Sequence, residues 1–183
     1  ERKEMIFTIN IPEIKGTFRK LCKSIGQKNI TEFSYRLDKT QEAKILLGLE
    51  FSKGEEEKKS FVKSMKNKKY KITDLSDDEI SKVHLRYMSG GRAPEFLDGN
   101  VEEVFKVDFP ERPGALMQFL ELLKDKWNIT LFHYKNQGSI YGGALVGFSL
   151  KPSQLENLNK DLLKTEYPFL RVSDNAGYKA FLK

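Results

Sequence analysis

The sequence contains a single cysteine, Cys22, and only two histidines, His84 and His133. One cysteine excludes a disulfide within the chain and fits the reducing cytoplasm. Neither histidine lies at the spacing from cysteine or carboxylate residues that metal sites require, so no metal site is predicted. The sequence also lacks the motifs of serine hydrolases, dinucleotide-binding enzymes and zinc proteases. We therefore predict no catalytic residues in this chain.

Long apolar runs are also missing. Runs such as Ile45–Leu47 fall far short of the roughly 20 residues that a membrane helix needs, so no membrane association is expected. No signal-peptide pattern is present, and the chain begins with Glu1 rather than methionine. We expect a fragment of a longer protein.

The net charge of +6 raises the question of nucleic acid. The lysines, however, cluster in residues 55–71, where they are mixed with acidic residues. Such a mixture is typical of a solvated amphipathic helix, here with Phe61, Val62 and Met65 on its apolar side. No basic stripe with interleaved aromatic residues occurs elsewhere, so we expect no nucleic-acid partner.

The chief positive feature of the sequence is an internal repeat. IPEIKGTFRKL (residues 11–21) and FPERPGALMQF (residues 109–119) share proline, glutamate and glycine at matching positions. NITEFSYR (residues 29–36) then matches NITLFHYK (residues 128–135), and the offset between the copies stays between 97 and 99. A register kept over this length indicates two copies of one structural unit.

Each copy reads strand, helix, strand, strand, helix, strand. This order predicts the α+β class, with two tandem ferredoxin-like βαββαβ subdomains whose antiparallel sheets carry helices on one face. We place subdomain 1 at residues 1–88, a glycine- and proline-containing linker at 89–100, and subdomain 2 at 101–183. Ser76 and Glu79 form a capping-box pattern that predicts a short extra helix at the end of the first copy.

The helix that follows each doubled turn has one predicted buried face with the spacing i, i+3, i+4, i+7. In the first copy this face contains Phe18, Leu21, Cys22 and Ile25, and in the second Leu116, Phe119, Leu120 and Leu123. Because Cys22 aligns with Leu120, we interpret it as a buried hydrophobic residue and not as a nucleophile.

The doubled turn is the candidate binding site. In this topology the end of the second strand, with its phenylalanine and tyrosine, reaches the same end of the subdomain as the turn. A helix N-terminus favours a carboxylate, and the aromatic pair offers an apolar wall and a hydroxyl group. The predicted effector-binding residues are Glu13, Lys15, Gly16, Phe33, Tyr35, Glu111, Arg112, Gly114, Phe132 and Tyr134.

The alternative interpretation is that each proline merely starts a helix and the aromatic residues fill the core. The recurrence of glutamate and glycine favours a site, because helix propensity does not demand glycine there. The neighbours of the two turns differ, which predicts two non-equivalent sites, one per repeat. The second strand of copy two is also more apolar on its outer face, so we expect a partner, either copy one or another subunit, to cover that face.

Several segments together resemble the C-terminal regulatory region of biosynthetic threonine dehydratase (threonine ammonia-lyase). These are the first turn with its helix, NITEFSYR, DLSDDEISKVHLRYMSGGR (residues 74–92), and the second turn with WNITLFHY (residues 127–134). The resemblance covers essentially the whole chain and implies two ACT-like subdomains in tandem.

The resemblance also implies a function. In that family a catalytic domain with pyridoxal phosphate deaminates threonine to 2-oxobutanoate, and the regulatory region binds isoleucine as inhibitor and valine as opposing effector. It implies no cofactor in this chain, a homo-oligomeric and tetrameric parent, and a cytoplasmic location. The alternative that the residues leave open is an oligomerisation module that binds no small molecule.

Overall fold

The computed structural model describes residues 3–37, 42–78, 95–96, 98–136 and 141–181. Within these residues the predicted order of elements occurs twice. Unit 1 contains β1 (Lys3–Pro12), α1 (Thr17–Ile25), β2 (Asn29–Arg36), β3 (Glu42–Phe51), α2 (Gly54–Asn67) and β4 (Lys71–Asp74). Unit 2 contains β5 (Val101–Pro110), α3 (Ala115–Leu123), β6 (Asn128–Lys135), β7 (Tyr141–Leu150), α4 (Leu155–Leu163), β8 (Phe169–Arg171) and a short C-terminal helix, α5 (Ala176–Phe181).

The eight strands form one antiparallel sheet in the order β4-β1-β3-β2-β6-β7-β5-β8. The inner strands of the two units, β2 and β6, pair with each other, so the units lie side by side in a single sheet. This pairing is nearly symmetric, since Phe33 lies opposite Tyr134 and Tyr35 lies opposite Phe132. We call the β2–β6 pair, together with α1 and α3 above it, the seam.

The helix faces are close to those predicted. Phe18, Leu21, Cys22 and Ile25 of α1 are all buried. In α3 the buried residues are Ala115, Phe119, Leu120 and Leu123, while Leu116 is half-buried against the same core. Burial raises the pKa of the Cys22 thiol, which keeps it protonated and fits its role as a core residue.

The ends of the two units confirm the repeat at the level of hydrogen bonds. The amide of Ile6 donates to the hydroxyl of Ser76 (3.2 Å), and the amide of Val104 donates to that of Ser173 (2.9 Å). In the same places, Leu75 donates to the carbonyl of Ile6 and Val172 to that of Val104, each at 2.8 Å. One sequence pattern therefore produces one local structure twice.

The outer face of unit 2 is covered in part by the chain itself, because Tyr178 of α5 packs on Val104 and Leu131. Its hydroxyl donates to Glu102 at 2.5 Å. Unit 1 also contributes there, since Arg36 donates to Glu102 at 2.7 Å, and cover by a second subunit stays a prediction. The units meet edge to edge through β2 and β6, and the chain's own C-terminal helix covers this part of the outer face.

Three sequence predictions fall wholly or largely outside the described residues. They are the extra helix that begins near Ser76, the linker at 89–100 and the position of His84. The domain boundaries drawn at residues 88 and 101 therefore stay predictions, although β5 begins at Val101.

A pair of candidate effector cavities at the seam

The first doubled turn leads from β1 into α1 and ends at Gly16. This residue is the N-cap of α1 and has a φ angle of 90°, in the left-handed region. Only glycine adopts that conformation without a steric penalty, so the backbone itself explains the recurring glycine. No side chain caps the helix. The N–H of Thr17 donates to the carbonyl of Ile14 at 3.1 Å, but the next N–H groups of α1 lack a side-chain acceptor and can serve a ligand.

The second turn repeats this geometry. Gly114 is the N-cap of α3 with a φ angle of 83°, and α3 likewise has no side-chain cap. Both glycines precede the helix as its N-cap residue. In both copies the result is an open helix N-terminus.

The tyrosine of each second strand lies beside the glutamate of its own turn, as predicted. The Tyr35 hydroxyl donates to Glu13 at 3.2 Å, and burial, then the Glu13 carboxylate, raises the pKa of Tyr35. Burial, then the nearby Glu111, raises the pKa of Tyr134 to about 12. The buried Oε1 atom of Glu111 has no hydrogen-bond partner among the described residues. The two tyrosine–glutamate pairs thus share a position but differ in hydrogen bonding.

Each turn faces the other unit across the seam. A Cβ atom built on Gly16 would lie 3.6 Å from Asp125 Oδ1, and one built on Gly114 would lie 3.6 Å from Gln27 Cγ. Two cavities result. Each is formed by the turn of one unit together with the helix end and strand start of the other.

The cavity beneath the first turn, which we call the first cavity, has a volume of about 330 Å³. It lies at the lower end of the range of 300–1,000 Å³ that is typical of small-molecule sites. Unit 1 contributes Glu13, Ile14, Lys15, Gly16, Thr17, Phe18, Arg19, Tyr35 and Leu37. Unit 2 contributes Leu120, Lys124, Asp125, Trp127, Asn128 and Ile129.

The second cavity, beneath the second turn, has a volume of only about 40 Å³. That is far below the roughly 300 Å³ at which typical small-molecule sites begin. Its lining is largely apolar, and its two charged residues, Lys28 and Arg112, are both cationic. The other lining residues are Cys22, Gly26, Asn29, Ile30, Phe109, Pro110, Gly114, Ala115, Leu116, Met117, Phe132 and Tyr134.

Eight of the ten predicted effector residues line a cavity. Glu13, Lys15, Gly16 and Tyr35 line the first cavity, and Arg112, Gly114, Phe132 and Tyr134 line the second. Phe33 instead lies in the core, fully buried against Phe18 and Phe132. Glu111 lies beside Tyr134 but does not line the second cavity. Whether any of these residues binds an effector stays a prediction.

The sequence analysis missed the residues that the opposite unit contributes. Trp127 is the clearest case, because it has no counterpart in unit 1. Three residues (26–28) join α1 to β2, whereas four residues (124–127) join α3 to β6. Comparing the lengths of the two copies would have marked the insertion, but its place in the wall of the other unit's cavity follows only from the β2–β6 pairing.

The Trp127 side chain is held firmly in that wall. Its indole N–H donates to Asp161 of α4 at 3.0 Å, and Lys126 and Lys164 donate to the same carboxylate at 2.7 and 2.8 Å. The hydrogen bond from Lys126, then that from Lys164, holds the pKa of Asp161 well below its usual range. Trp127 therefore forms a rigid apolar wall of the first cavity.

Ion pairs close the seam above the first cavity. Arg19 of α1 donates to Glu121 at 2.5 Å and to Asp125 at 2.9 Å, both from unit 2. The Lys15 ammonium group donates to the carbonyl of Lys126 at 3.3 Å. A ligand in the first cavity would thus contact both units and groups of both charges.

Among the described residues no group of three or more potential metal ligands occurs. No helix among them has the length and hydrophobicity to cross a membrane.

Comparison with known proteins places this geometry in a family. The model of the C-terminal regulatory domain of threonine dehydratase matches residues 1–85 and 96–182. The chain is 43% identical over 182 residues to biosynthetic L-threonine dehydratase of Escherichia coli and 40% identical over 182 residues to that of Burkholderia multivorans. It is 35% identical over 193 residues to mitochondrial threonine dehydratase of Saccharomyces cerevisiae.

All three matches cover 100% of this chain but only 35%, 35% and 32% of the respective relatives. The chain therefore spans about a third of the length of the curated relatives that it matches. Similarity to solved structures is weak: aspartate kinase from Synechocystis aligns over 93% of this chain and 44% of that one, with 12% identity and a TM-score of 0.31. The sequence relatives and the family model are decisive, and the chain belongs to the family of C-terminal regulatory domains of threonine dehydratase.

Proposed function

We propose that this chain is the amino-acid sensor of a threonine dehydratase. Isoleucine binds at the seam as inhibitor, and valine opposes it. Binding controls the deamination of threonine to 2-oxobutanoate and ammonia, the committed step toward isoleucine. The observation that carries the proposal is the first cavity, which combines an open helix N-terminus with apolar and charged walls supplied by both units.

The lining of the first cavity suits a branched-chain amino acid. Phe18, Leu120, Trp127 and Ile129 provide apolar surface for an aliphatic side chain. Charged residues of both signs lie around them, and a free amino acid carries both signs on its α-carbon substituents. A carboxylate at the N-terminus of α1 also benefits from the helix dipole.

Because both units line the cavity, a bound ligand would change the energy of the contact between them. A ligand shifts a conformational equilibrium only by its differential affinity for the two states. Isoleucine and valine differ by one methylene, which is worth about 1–3 kcal/mol in an apolar pocket. The affinities of the two ligands therefore differ by degree, and valine opposes isoleucine because it occupies the site without favouring the inhibited state.

The remainder of the proposal concerns the parent protein. Its catalytic domain, on the same polypeptide, binds pyridoxal phosphate and carries out the lyase reaction, and this chain binds no cofactor. The parent is a homo-oligomer, a tetramer, in the cytoplasm. The second cavity is too small for an amino acid as it stands, so a second effector site there requires the turn at 110–114 to move.

Isothermal titration calorimetry of the 183-residue chain tests the proposal directly. We expect saturable binding of isoleucine and weaker binding of valine, with a rise in the unfolding temperature on addition of either. Glutamate is the control, since it has the same α-substituents but a charged side chain that the apolar wall disfavours. Each cavity is lined within one chain, so a result of no heat and no thermal shift would contradict sensing even if the chain is monomeric.

The competing function is an oligomerisation module. The exposed Leu163 and Leu170, at 67% and 64% exposure, favour it, since β8 ends the described sheet and carries Leu170. A pure assembly module would change its oligomeric state with Leu170→Lys and would show no response to isoleucine. A sensor would respond to isoleucine in both the parent chain and this variant.

A further inference from the structure

Arg19 occupies a singular position at the seam. Its terminal nitrogens bond to Glu121 and Asp125 of unit 2, while its side chain also lines the first cavity. The Nε atom is buried and has no hydrogen-bond partner among the described residues. A buried N–H of a charged group without an acceptor is costly, so the group needs an explanation.

The matched position in unit 2 does not contain an arginine. Residue 117, which is 98 positions after Arg19, is a methionine that lines the second cavity. The partners of Arg19 differ as well, since Glu121 corresponds to Lys23 and Asp125 to Gln27. An arginine at this helix position is thus found only in unit 1, whereas the guanidinium group that lines the second cavity, Arg112, belongs to the turn.

The charges around Arg19 fit an amino acid in zwitterionic form. Lys15, Arg19 and Lys124 are the cations of the lining, and Glu13 and Asp125 are its carboxylates. Arg19 is the third residue of α1, so it belongs to the first helical turn after Gly16. A carboxylate accepts well from a guanidinium N–H and from helix N–H groups together.

We propose that Arg19 is the carboxylate anchor of the first cavity, and that this cavity is selective for amino acids with a free α-carboxylate. The inference rests on the proposed function and adds to it a specificity-determining residue. Because Arg19 also holds Glu121 and Asp125, a ligand bound to its Nε–H fixes the same side chain that joins α1 to α3. Occupancy of the first cavity is thereby coupled to the contact between the two units.

The alternative is that Arg19 only clamps the two helices. A clamp and an anchor differ in one respect that is measurable. Loss of a clamp weakens binding of every ligand in the first cavity, whereas loss of an anchor weakens only ligands that carry the carboxylate. Isoleucine and isoleucinamide, which share a side chain and an ammonium group, separate the two roles.

The experiment is calorimetry of the full chain and three variants with both probes. Arg19→Met gives the first cavity the residue of the second, and Met117→Arg is the matched control in the other unit. We expect Arg19→Met to weaken isoleucine binding by about tenfold or more, the range for a lost hydrogen bond to a charged group. Isoleucinamide binding by this variant, and binding of both probes by Met117→Arg, should change by less than about twofold.

Arg19→Lys is the third variant and keeps the proposal testable if Arg19→Met does not fold. It keeps the charge but lacks the planar guanidinium group, so an intermediate loss of isoleucine affinity is expected. If the ratio of isoleucine to isoleucinamide affinity is the same in the variants as in the starting chain, the anchor is refuted and the clamp stands. If the starting chain binds neither probe, the proposed sensing function itself fails, and the anchor fails with it.

Discussion

The first cavity measures about 330 Å³ and the second about 40 Å³, although the two turns above them have nearly the same backbone. Their N-cap glycines have φ angles of 90° and 83°, and both helices lack a side-chain cap. The difference lies in the side chains and in one inserted residue, Trp127. The repeat therefore places a cavity at the same location in both units, while the side chains determine its size and its charge.

The two units also differ on the opposite face of the sheet, in the burial of two matched glutamates. Glu102, at the start of β5, accepts hydrogen bonds from Arg36, Thr130 and Tyr178, and its side chain is only 4% exposed. Its counterpart 98 residues earlier, Glu4, is exposed and accepts from Thr31 at 2.6 Å. Since Arg36 belongs to unit 1, the Glu102 cluster joins the units beneath the seam.

The largest expected effect concerns this cluster. Glu102→Ala removes the carboxylate that accepts two hydrogen bonds from the buried Arg36 guanidinium, and removing one member of a buried pair costs about 3–5 kcal/mol. Glu4→Ala is the matched control and should cost less than about 0.5 kcal/mol. Urea unfolding of both variants measures the difference. Equal losses would show that the two faces of the repeat have not diverged as described.

The second effect concerns the two tyrosine–glutamate pairs. Tyr35→Phe removes the hydroxyl that donates to Glu13 in the open cavity, so we expect the Kd for isoleucine to rise by about five- to tenfold. Tyr134→Phe affects the closed cavity and should change the Kd by less than about twofold. Calorimetry of the two variants is the measurement. If Tyr134→Phe raises the Kd for isoleucine as much as Tyr35→Phe does, the second cavity contributes to isoleucine binding as much as the first.

In an intact parent enzyme the same contrast extends to inhibition. Tyr35→Leu should shift the isoleucine concentration for half-inhibition more than Tyr134→Leu, and activity without effector should stay nearly unchanged in both variants. Steady-state assays over a range of isoleucine concentrations measure this. If isoleucine inhibits both variants as it inhibits the unaltered enzyme, neither cavity is an effector site.

The third effect concerns the lysines that follow α1 and α3, each of which pairs with a carboxylate of the second helix in its unit. The hydrogen bond from Lys28, then that from the backbone of Lys53, lowers the pKa of Glu57 from 4.5 to about 2. The folded pKa is below the unfolded one, so this stabilisation is complete above pH 5 or so and is lost as the pH falls toward about 2. Glu57→Gln should therefore cost roughly 1 kcal/mol at neutral pH and progressively less in acid.

Urea unfolding at several pH values between 7 and 3 checks this prediction. Asp161→Asn tests the counterpart, where Lys126 and Lys164 hold the carboxylate that also supports Trp127. If the free energy of unfolding differs between Glu57→Gln and the starting chain by the same amount at every pH, the pairing of Glu57 with Lys28 is contradicted.

The smallest effect is the ionisation of the tyrosines. Because burial and Glu111 raise the pKa of Tyr134 to about 12, the folded protein keeps a proton that the unfolded chain loses near pH 10. Stability should therefore fall between about pH 10 and pH 12, and Tyr134→Phe should make the fall shallower by less than about 1 kcal/mol. Spectrophotometric titration of the starting chain and of Tyr134→Phe shows whether the variant lacks one tyrosine that ionises near pH 12.

Much of the fold was predictable from the sequence because its signals are local. The spacing of Phe18, Leu21, Cys22 and Ile25 identified the buried face of α1, and the repeat identified that of α3 with only Leu116 less buried than expected. The approach of Tyr35 to Glu13 followed from strand order, since both lie at the same end of one unit. These inferences need only periodicity and the connection of neighbouring elements.

The tertiary structure decided what joins distant segments. The pairing of β2 with β6 gives each turn a second wall from the other unit, and so brings Asp125 and Trp127 to Gly16 and Tyr35. It also lays Arg36 against Glu102, which are 66 residues apart. No periodicity in the sequence states which two edges pair or in what register, because that choice depends on contacts summed over the whole sheet. The sequence thus determined two copies of a turn with its tyrosine, and only the tertiary structure decided that one of them opens into a charged cavity.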